Sequence, residues 1–346
     1  MTPASATRHA GPPLPSGAAL AVVVPACNEE ARIEACLRAL ARQEGAPPLF
    51  VSLCVNNSTD RSAARAEAAA GRLGLPVLLT EVTFGTGGVG RARRLGHAAA
   101  LRACPGAGVL LSTDADCVPA PGWAAGMAGA LARAPVALGG ICALPGELAA
   151  LSPDYAAWSA VEDAYAALSV EFGCLLDPAG TDGIGINTAG GANLGLRREA
   201  YLALGGFRDR QSGEDRDIVA RALAAGYRPV RARDAVVAAS MRSDGRAPRG
   251  MAARVAARLA RRDAPLDTAL APLEAMIRHH LAAQPGHRGA ARTPMSRREA
   301  LRDLPELERC VSVLRALPDV PARLRYLGTR AERARAGRSG ECLLAP

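Results

Sequence analysis

Val109-Leu110-Leu111-Ser112-Thr113-Asp114-Ala115-Asp116-Cys117-Val118-Pro119 decides the fold. A short apolar run ends in two carboxylates one residue apart, and a proline then stops the strand. Bounded by turn residues, such a run reads as a buried parallel strand. In an open α/β sheet the ligand crevice lies just past the carboxyl ends of such strands, so Asp114 and Asp116 are expected at that crevice. Side chains at i and i+2 point the same way along a strand, which lets both carboxylates converge on one ion. Paired hard oxygens suit Mg²⁺ or Mn²⁺, with phosphate oxygens completing the shell. The competing reading is an Asx turn whose carboxylates are merely solvated.

The strands before it repeat one pattern. Leu20 to Pro25 is a first strand, followed by the polar loop Pro25-Ala26-Cys27-Asn28-Glu29-Glu30. Ile33, Leu37 and Leu40 then recur at helical spacing, with Asn28 as the expected N-cap. Glu29 is placed to take ribose hydroxyls, whereas Glu30 complements the helix dipole. Leu49 to Val55 is a second strand ending in Asn56-Asn57-Ser58-Thr59-Asp60, a turn rich in donors and acceptors where a base can be read. An alanine-rich helix to Gly71 and a third strand, Pro76 to Val82, follow. Gly85 to Gly90 opens a helix carrying Arg91, Arg93 and Arg94, which suits an anionic ligand. Its glycine spacing matches neither the P-loop nor the dinucleotide fingerprint. His97 reads as packing. Successive β-α steps of this kind make a doubly wound, mostly parallel sheet flanked by helices.

The chain has 346 residues, half of them apolar, with aromatics at only 3%. There is no lysine, so every cationic side chain is arginine or histidine, and arginine richness is read as a compositional bias. A formal charge of +9 permits nucleic-acid or anionic-membrane binding. An anionic nucleotide substrate accounts for the same charge, so no nucleic-acid partner is expected. Nine cysteines without a C-x-x-C pair suit a reducing cytoplasm, and Cys27, Cys54, Cys117 and Cys142 read as small buried hydrophobes. Residues 1–17 read as a disordered arm without a signal peptide. No apolar stretch reaches the ~18 residues of a membrane span; the best candidate, Trp123 to Leu151, is broken by Arg133 and Glu147.

Seven segments carry a resemblance. Val22–Glu30, Asn56–Asp60, Gly90–Gly96 and Ser112–Asp116 occur in the order and at the rough spacing seen in family 2 glycosyltransferases of the GT-A fold. Further on, Gly190-Gly191-Ala192-Asn193-Leu194-Gly195-Leu196-Arg197-Arg198 resembles that family's glycine-asparagine segment. Tyr201–Phe207 resembles the segment after it, and Gly213-Glu214-Asp215-Arg216-Asp217-Ile218 resembles its Glu-Asp motif, which opens a helix. The resemblance covers about residues 19–250. It implies an inverting transfer of a sugar from a nucleotide-diphosphate donor to a hydroxyl acceptor. Pro25, Ala26, Cys27, Glu29, Asn56, Asn57, Arg91, Arg94, Asp114, Ala115 and Asp116 would hold the nucleotide sugar. Asp116, with Asp114, would hold Mg²⁺ or Mn²⁺. Asp215 would be the general base, with Glu214 second, and Asp217 structural. Gly191, Asn193 and Trp158 would shape the acceptor side.

Three departures stand out. Cys27 replaces a base-stacking aromatic. An amide at Asn56 or Asn57 replaces a base-reading aspartate. The stretch Ala238–Arg246 lacks the histidine that serves many members as a further metal ligand; Arg242 and Arg246 are candidates to neutralise the diphosphate instead, against the reading of a basic surface turn. The competing functions are a nucleotidyltransferase on a similar sheet, whose phosphate-gripping signature Pro25–Glu30 does not match, and a non-catalytic nucleotide-sugar or nucleic-acid binder.

Residues 18–250 are therefore expected to form the transferase domain. Within it, Ser152–Leu176 is a helical insertion with Trp158, Val161, Tyr165 and Leu168 on one face, and 174–189 is a mobile loop. Residues 251–346 are expected as a helical extension with a flexible tail. Arg254, Arg258, Arg261 and Arg262 line one helix, and a Pro/Gly/Arg linker near 284–294 precedes another through Leu307, Val311, Leu314 and Leu317. That basic amphipathic pattern permits peripheral membrane contact, against a plain solvated face. His279 and His280 face different ways and make a poor ligand pair.

Overall fold

The computed structural model describes residues 5–17, 20–86, 88–151, 153–176, 190–244, 250–260, 265–267, 270–282 and 295–341, without the side chains of 148–149, 251, 254 and 334–341. The chain divides into two units, Met1–Leu151 with Thr188–Leu259, and Ser152–Asn187 with Ala260–Pro346. In chain order the elements are β1 (Ser5–Ala10), β2 (Leu20–Ala26), α1 (Ile33–Ala41), β3 (Leu49–Asn56), α2 (Ser62–Leu73), β4 (Val77–Val82), α3 (Val89–Ala103), β5 (Val109–Ser112), β6 (Cys117–Pro119), α4 (Trp123–Arg133), β7 (Val136–Ala143) and α5 (Glu147–Ala150). Then α6 (Pro153–Leu176), of the second unit, precedes β8 (Leu194–Arg197), α7 (Arg198–Ala203), α8 (Glu214–Ala224), β9 (Val230–Ala239) and α9 (Met251–Ala260).

The nine strands among the described residues share one sheet, in the order β1-β4-β3-β2-β5-β8-β7-β9-β6. β2, β3, β4 and β5 are parallel. Every residue of β2 is buried, as a parallel strand covered on both faces requires. β3 and β5 flank β2 on opposite sides, so the chain order reverses there and the crevice opens past Ala26 and Ser112. α3 lies unusually close to this sheet. A Cβ on Gly96 would sit 2.6 Å from Val23 Cγ1, and Ser52 Oγ donates to the Gly96 carbonyl at 2.8 Å.

β8 runs antiparallel to β5, pairing Leu194 with Ser112. The Gly190–Asn193 segment therefore reaches the same end of the sheet as Asp114. β6 runs antiparallel to β9, pairing Cys117 with Ala239. Asp116, just before Cys117, is thereby brought beside Ser240–Arg242, just after Ala239. Both juxtapositions follow from strand pairing alone.

His97 is buried on α3, stacked on Tyr201 at 4.7 Å between ring centroids. Its Nδ1–H donates to the Arg93 carbonyl at 2.8 Å, as an imidazole beside a carbonyl must. Burial, together with the Arg93 charge, pushes its pKa down to about 3. Unfolded, the same ring takes a proton near ~6.5. The unfolded state thus binds more protons between those values, so the stability His97 contributes is whole above ~6.5 and falls as pH drops. Urea melts at pH 7 and pH 5 are expected to lose about 2 kcal/mol more from the wild type than from His97→Phe. Equal slopes in the two proteins would remove His97 from the acid response.

Several expectations need correcting. Residues 5–10 are a strand, not part of a disordered arm: Thr7 Oγ1 bonds Thr80 Oγ1 at 3.1 Å, and Arg8 pairs with Glu67 at 2.9 Å and Glu81 at 2.5 Å. Asn28 does not cap α1, whose N-cap is Arg32. Cys142 is exposed and Cys27 half-buried, while Cys54 and Cys117 are buried. α6 falls with the C-terminal residues rather than within the first unit.

The second unit has its own core. Trp158, Tyr165 and Phe172 of α6 pack with Leu273 and Ile277 of α10 (Leu273–Leu281) and Leu307, Val311 and Leu314 of α11 (Arg297–Ala316). α11 starts with a capping box between Ser296 and Glu299. α12 (Val320–Glu341) continues the helical extension, and the expected flexible tail beyond it lies outside the described residues. Many arginines here are spent internally: Arg315 on Glu171, Arg330 on Glu306, and Arg323 on the carbonyls of Leu314, Leu317 and Leu175. His279 and His280 lie edge to face on α10. The 177–189 loop, the 284–294 linker, Arg246, Arg261 and Arg262 lie outside the described residues. Among the described residues, no helix is long and apolar enough to cross a membrane.

Candidate active site

The loop after β2 is stapled to the turn after β3. Asn28 N–H donates to Ser58 Oγ at 2.9 Å, Glu29 N–H to Ser62 Oγ at 2.7 Å, and Glu30 N–H to Asp60 Oδ2 at 3.0 Å. In return Asn28 Oδ1 accepts from the Thr59 N–H at 2.8 Å. Asn28 and Asn57 are both left-handed, a conformation that asparagine tolerates better than most residues. Asn57 mimics a strand partner: its amide donates to the Phe84 carbonyl at 2.8 Å and accepts from the Phe84 N–H at 3.2 Å. Of the two amides expected to read a base, Asn57 is thus committed to the fold, and Asn56 stands half-buried beside it. Pro25 and Ala26 are buried at the end of β2.

Burial alternates through the acidic stretch. Ala115 and Cys117 face the core, whereas Asp114 and Asp116 face out with side chains 35% and 21% exposed. Burial, then the charge of Asp114, pushes the Asp116 pKa up to about 6 against the pull of Arg242. Asp114, Asp116 and Cys117 present ligand atoms within 4.8 Å of one another, a set able to hold a metal ion. Burial and the two neighbouring carboxylates hold the Cys117 thiol well above its ordinary pKa. The donors that fit a divalent cation are therefore the two carboxylates, as hard oxygen ligands for Mg²⁺ or Mn²⁺.

Arg93 binds the two acidic clusters together. Its side chain is 2% exposed. Nη2 donates to Asp114 Oδ1 at 2.5 Å, Nε to Glu214 Oε1 at 3.0 Å, and Nη1 to Ser112 Oγ. Burial works against its charge, but Asp114, Glu214 and Asp215 more than reverse that and raise its pKa. Glu214 is buried, and burial raises its own pKa against the Arg93 charge. It anchors Arg93 rather than facing an acceptor.

Asp215, the next residue, is half-buried. Its Oδ2 accepts from the Gly191 N–H at 2.7 Å and its Oδ1 from the Arg216 N–H at 2.7 Å. A lone pair on each oxygen remains beyond those bonds. A Cβ at Gly191 would collide with the Arg93 guanidinium, so only glycine fits there. Asp217 is spent on Arg208, Arg210 and Arg221, in keeping with a structural role.

Two residues expected on the acceptor side are buried. Asn193 is buried: its Oδ1 accepts from Trp123 Nε1 at 2.8 Å, and its Nδ2 donates to the carbonyls of Gly140 at 2.7 Å and Ala235 at 2.9 Å. It clamps β7, β9 and α4 together, with its polar atoms turned inward. Trp158 is packed in the second unit's core. The arginines also redistribute. Arg91 lies over the Phe84 ring and donates to the Thr86 carbonyl, and Arg94 is exposed. Arg93, passed over in the sequence, is the one at the centre. Its only signal was spacing: Gly90, Arg93 and Gly96 share the helix face that small residues mark for close approach.

Glu29 and Arg242 form a further pair. Both Glu29 oxygens accept from the Arg242 guanidinium, Nη1 to Oε2 at 2.8 Å and Nη2 to Oε1. Nη2 also lies 3.0 Å from Asp116 Oδ2. Glu29, expected to meet ribose hydroxyls, is instead buried under an arginine, and Arg242 is no surface turn.

No curated protein matches the sequence. Among solved structures, similar chains include the mannosyltransferase PcManGT from Pyrobaculum calidifontis with GDP-Man and Mn²⁺, at 20% identity, covering 94% of this chain and 83% of that one, with a TM-score of 0.48. S. aureus TarS 1–349 with UDP is 15% identical, covering 84% and 70%, with a TM-score of 0.45. Glucosyl-3-phosphoglycerate synthase from Mycobacterium tuberculosis with Mg²⁺ and UDP is 22% identical, covering 71% and 79%, with a TM-score of 0.41. The description "Glycosyl transferase family 2" matches residues 21–201, just over half of the chain, from β2 through the acidic stretch to α7. The chain thus belongs to glycosyl transferase family 2.

Proposed function

We propose that this enzyme moves a sugar from a nucleotide-diphosphate donor to a hydroxyl acceptor with inversion, in the cytoplasm. The observation that carries the reading is the single buried arginine joining Asp114 to Glu214 beside Asp215. It supports one site with a diphosphate side and an acceptor side. Asp114 and Asp116 would hold Mg²⁺ or Mn²⁺, which when bound stabilises the charge developing on the departing diphosphate. Arg242, 14% exposed beside Asp116, offers further positive charge there. On the other side Asp215 takes the proton from the acceptor hydroxyl, its carboxylate held in orientation by two backbone N–H groups. The Glu29–Arg242 and Asn57–Phe84 pairs keep the donor loops in place before any ligand arrives.

A thermal-shift panel of UDP-, GDP- and dTDP-sugars, each with and without Mn²⁺, tests the donor class. One nucleotide class at about 100 times its Kd is expected to raise the melting temperature by several degrees. In Asp116→Asn the Mn²⁺-dependent part of that rise disappears. A panel in which no nucleotide sugar moves the melting temperature would sink the donor assignment.

A further inference from the structure

Arg242 is built into its position rather than resting there. Glu147 pins the segment that carries it: Oε2 accepts from the Met241 N–H at 2.7 Å and from Ser240 Oγ at 3.1 Å. Glu147 Oε1 is itself held by Arg32 at 2.7 Å. On the other side, Glu29 grips the guanidinium with both oxygens, and its backbone is fixed by Ser62. A two-point carboxylate–guanidinium fork is among the stronger and more directional contacts a protein makes. The remaining reach of Nη2 ends on Asp116 Oδ2 at 3.0 Å.

That oxygen belongs to the carboxylate proposed above to bind a divalent cation. A metal bonds a carboxylate oxygen at about 2.0–2.1 Å for Mg²⁺. An ion on Asp116 would then stand within a few ångströms of a fixed positive charge in a partly buried setting, where repulsion is poorly screened. We infer that Arg242 is the resident cation of this site: its guanidinium and a divalent cation compete for Asp116, so the protein alone holds metal weakly. A bound nucleoside diphosphate supplies the negative charge that lets both cations stay. Metal and nucleotide therefore bind with positive coupling, and by linkage each strengthens the other equally. The inference rests on Asp116 being the metal-side carboxylate.

Mn²⁺ binding without nucleotide, followed by electron paramagnetic resonance and calorimetry, tests it with no reliance on turnover. Arg242→Gln is expected to bind Mn²⁺ at least tenfold more tightly than wild type. Because Arg242→Gln leaves the buried Glu29 without its partner, the pair variant Glu29→Gln with Arg242→Gln is measured beside it and is expected to show the same gain. In both, the strengthening of Mn²⁺ binding by UDP or GDP shrinks relative to wild type. Equal Mn²⁺ affinity in wild type and both variants, with binding abolished by Asp116→Asn, would overturn the competition and leave the metal assignment standing. Binding that survives Asp116→Asn would overturn the assignment itself, and the competition with it.

Discussion

Asp215→Asn is expected to lower kcat by about a hundred- to ten-thousand-fold while nucleotide affinity stays within a few-fold of wild type. An amide has the shape of the carboxylate but cannot take the acceptor's proton. The substitution is also mild for the fold. Asp215 accepts one N–H on each oxygen, from Gly191 and Arg216. Asparagine keeps one of those bonds and sets an NH₂ against the other donor, a local cost of about 1 kcal/mol. The melting temperature therefore falls by only a few degrees. Glu214→Gln serves as the contrast. Glu214 touches Arg93 and is buried, so its loss acts through Arg93 on Asp114 and disturbs stability and activity together. Single-turnover rates with saturating donor, set beside nucleotide titrations, separate the cases. An Asp215→Asn enzyme with unchanged turnover would leave the general base to be sought elsewhere. A fall in nucleotide affinity matching the fall in rate would make Asp215 part of the donor site.

The chemistry-bearing segments were legible because they are local. Val109–Ser112 reads as a strand from four residues, and the carboxylates past its end follow from β-α order and the crevice rule. Glu214 and Asp215 open a helix, as the acidic first turn of α8 suggests. What the sequence hid depends on strand pairing and helix facing. Nothing near Arg242 announces that β9 pairs with β6, yet that pairing alone carries it to Asp116. Arg93 was one arginine among three; only the approach of α3 to the sheet decides that it is buried while Arg94 is exposed. Asn193 misled for a related reason. A polar residue in a glycine-rich segment reads as a ligand contact, but two strands and a helix converge on it and consume its amide. Residues 5–10 read as unstructured because proline and glycine dominate their surroundings, and their partner β4 lies some seventy residues away.

Replacing Arg93 with methionine is expected to cost about 3–5 kcal/mol of stability, because it leaves Glu214 buried and charged without its partner. Glu214 would then take up a proton. Its pKa is already raised by burial, and the loss of the Arg93 charge raises it further. Sign follows from proton counting: the folded state then holds a proton that the unfolded glutamate releases above ~4.3. Arg93→Met is therefore stabilised as pH falls from 7 toward 5 relative to wild type, and loses that gain as pH rises. Adding Glu214→Gln removes the stranded charge and is expected to recover at least half of the lost stability. Turnover should not recover with it. Asp114 has lost the donor that fixed its Oδ1, and the span from Asp114 to the start of α8 is no longer tied. A shift of about 1 Å between reacting groups costs about a hundredfold in rate, so the pair variant stays at least that far below wild type. Urea melts and single-turnover rates on the two single variants and the pair complete the cycle. A pair variant as active as wild type would reduce Arg93 to a filler of the core. A pair variant that is stable but slow means that the arginine holds two distant carboxylates at their working separation.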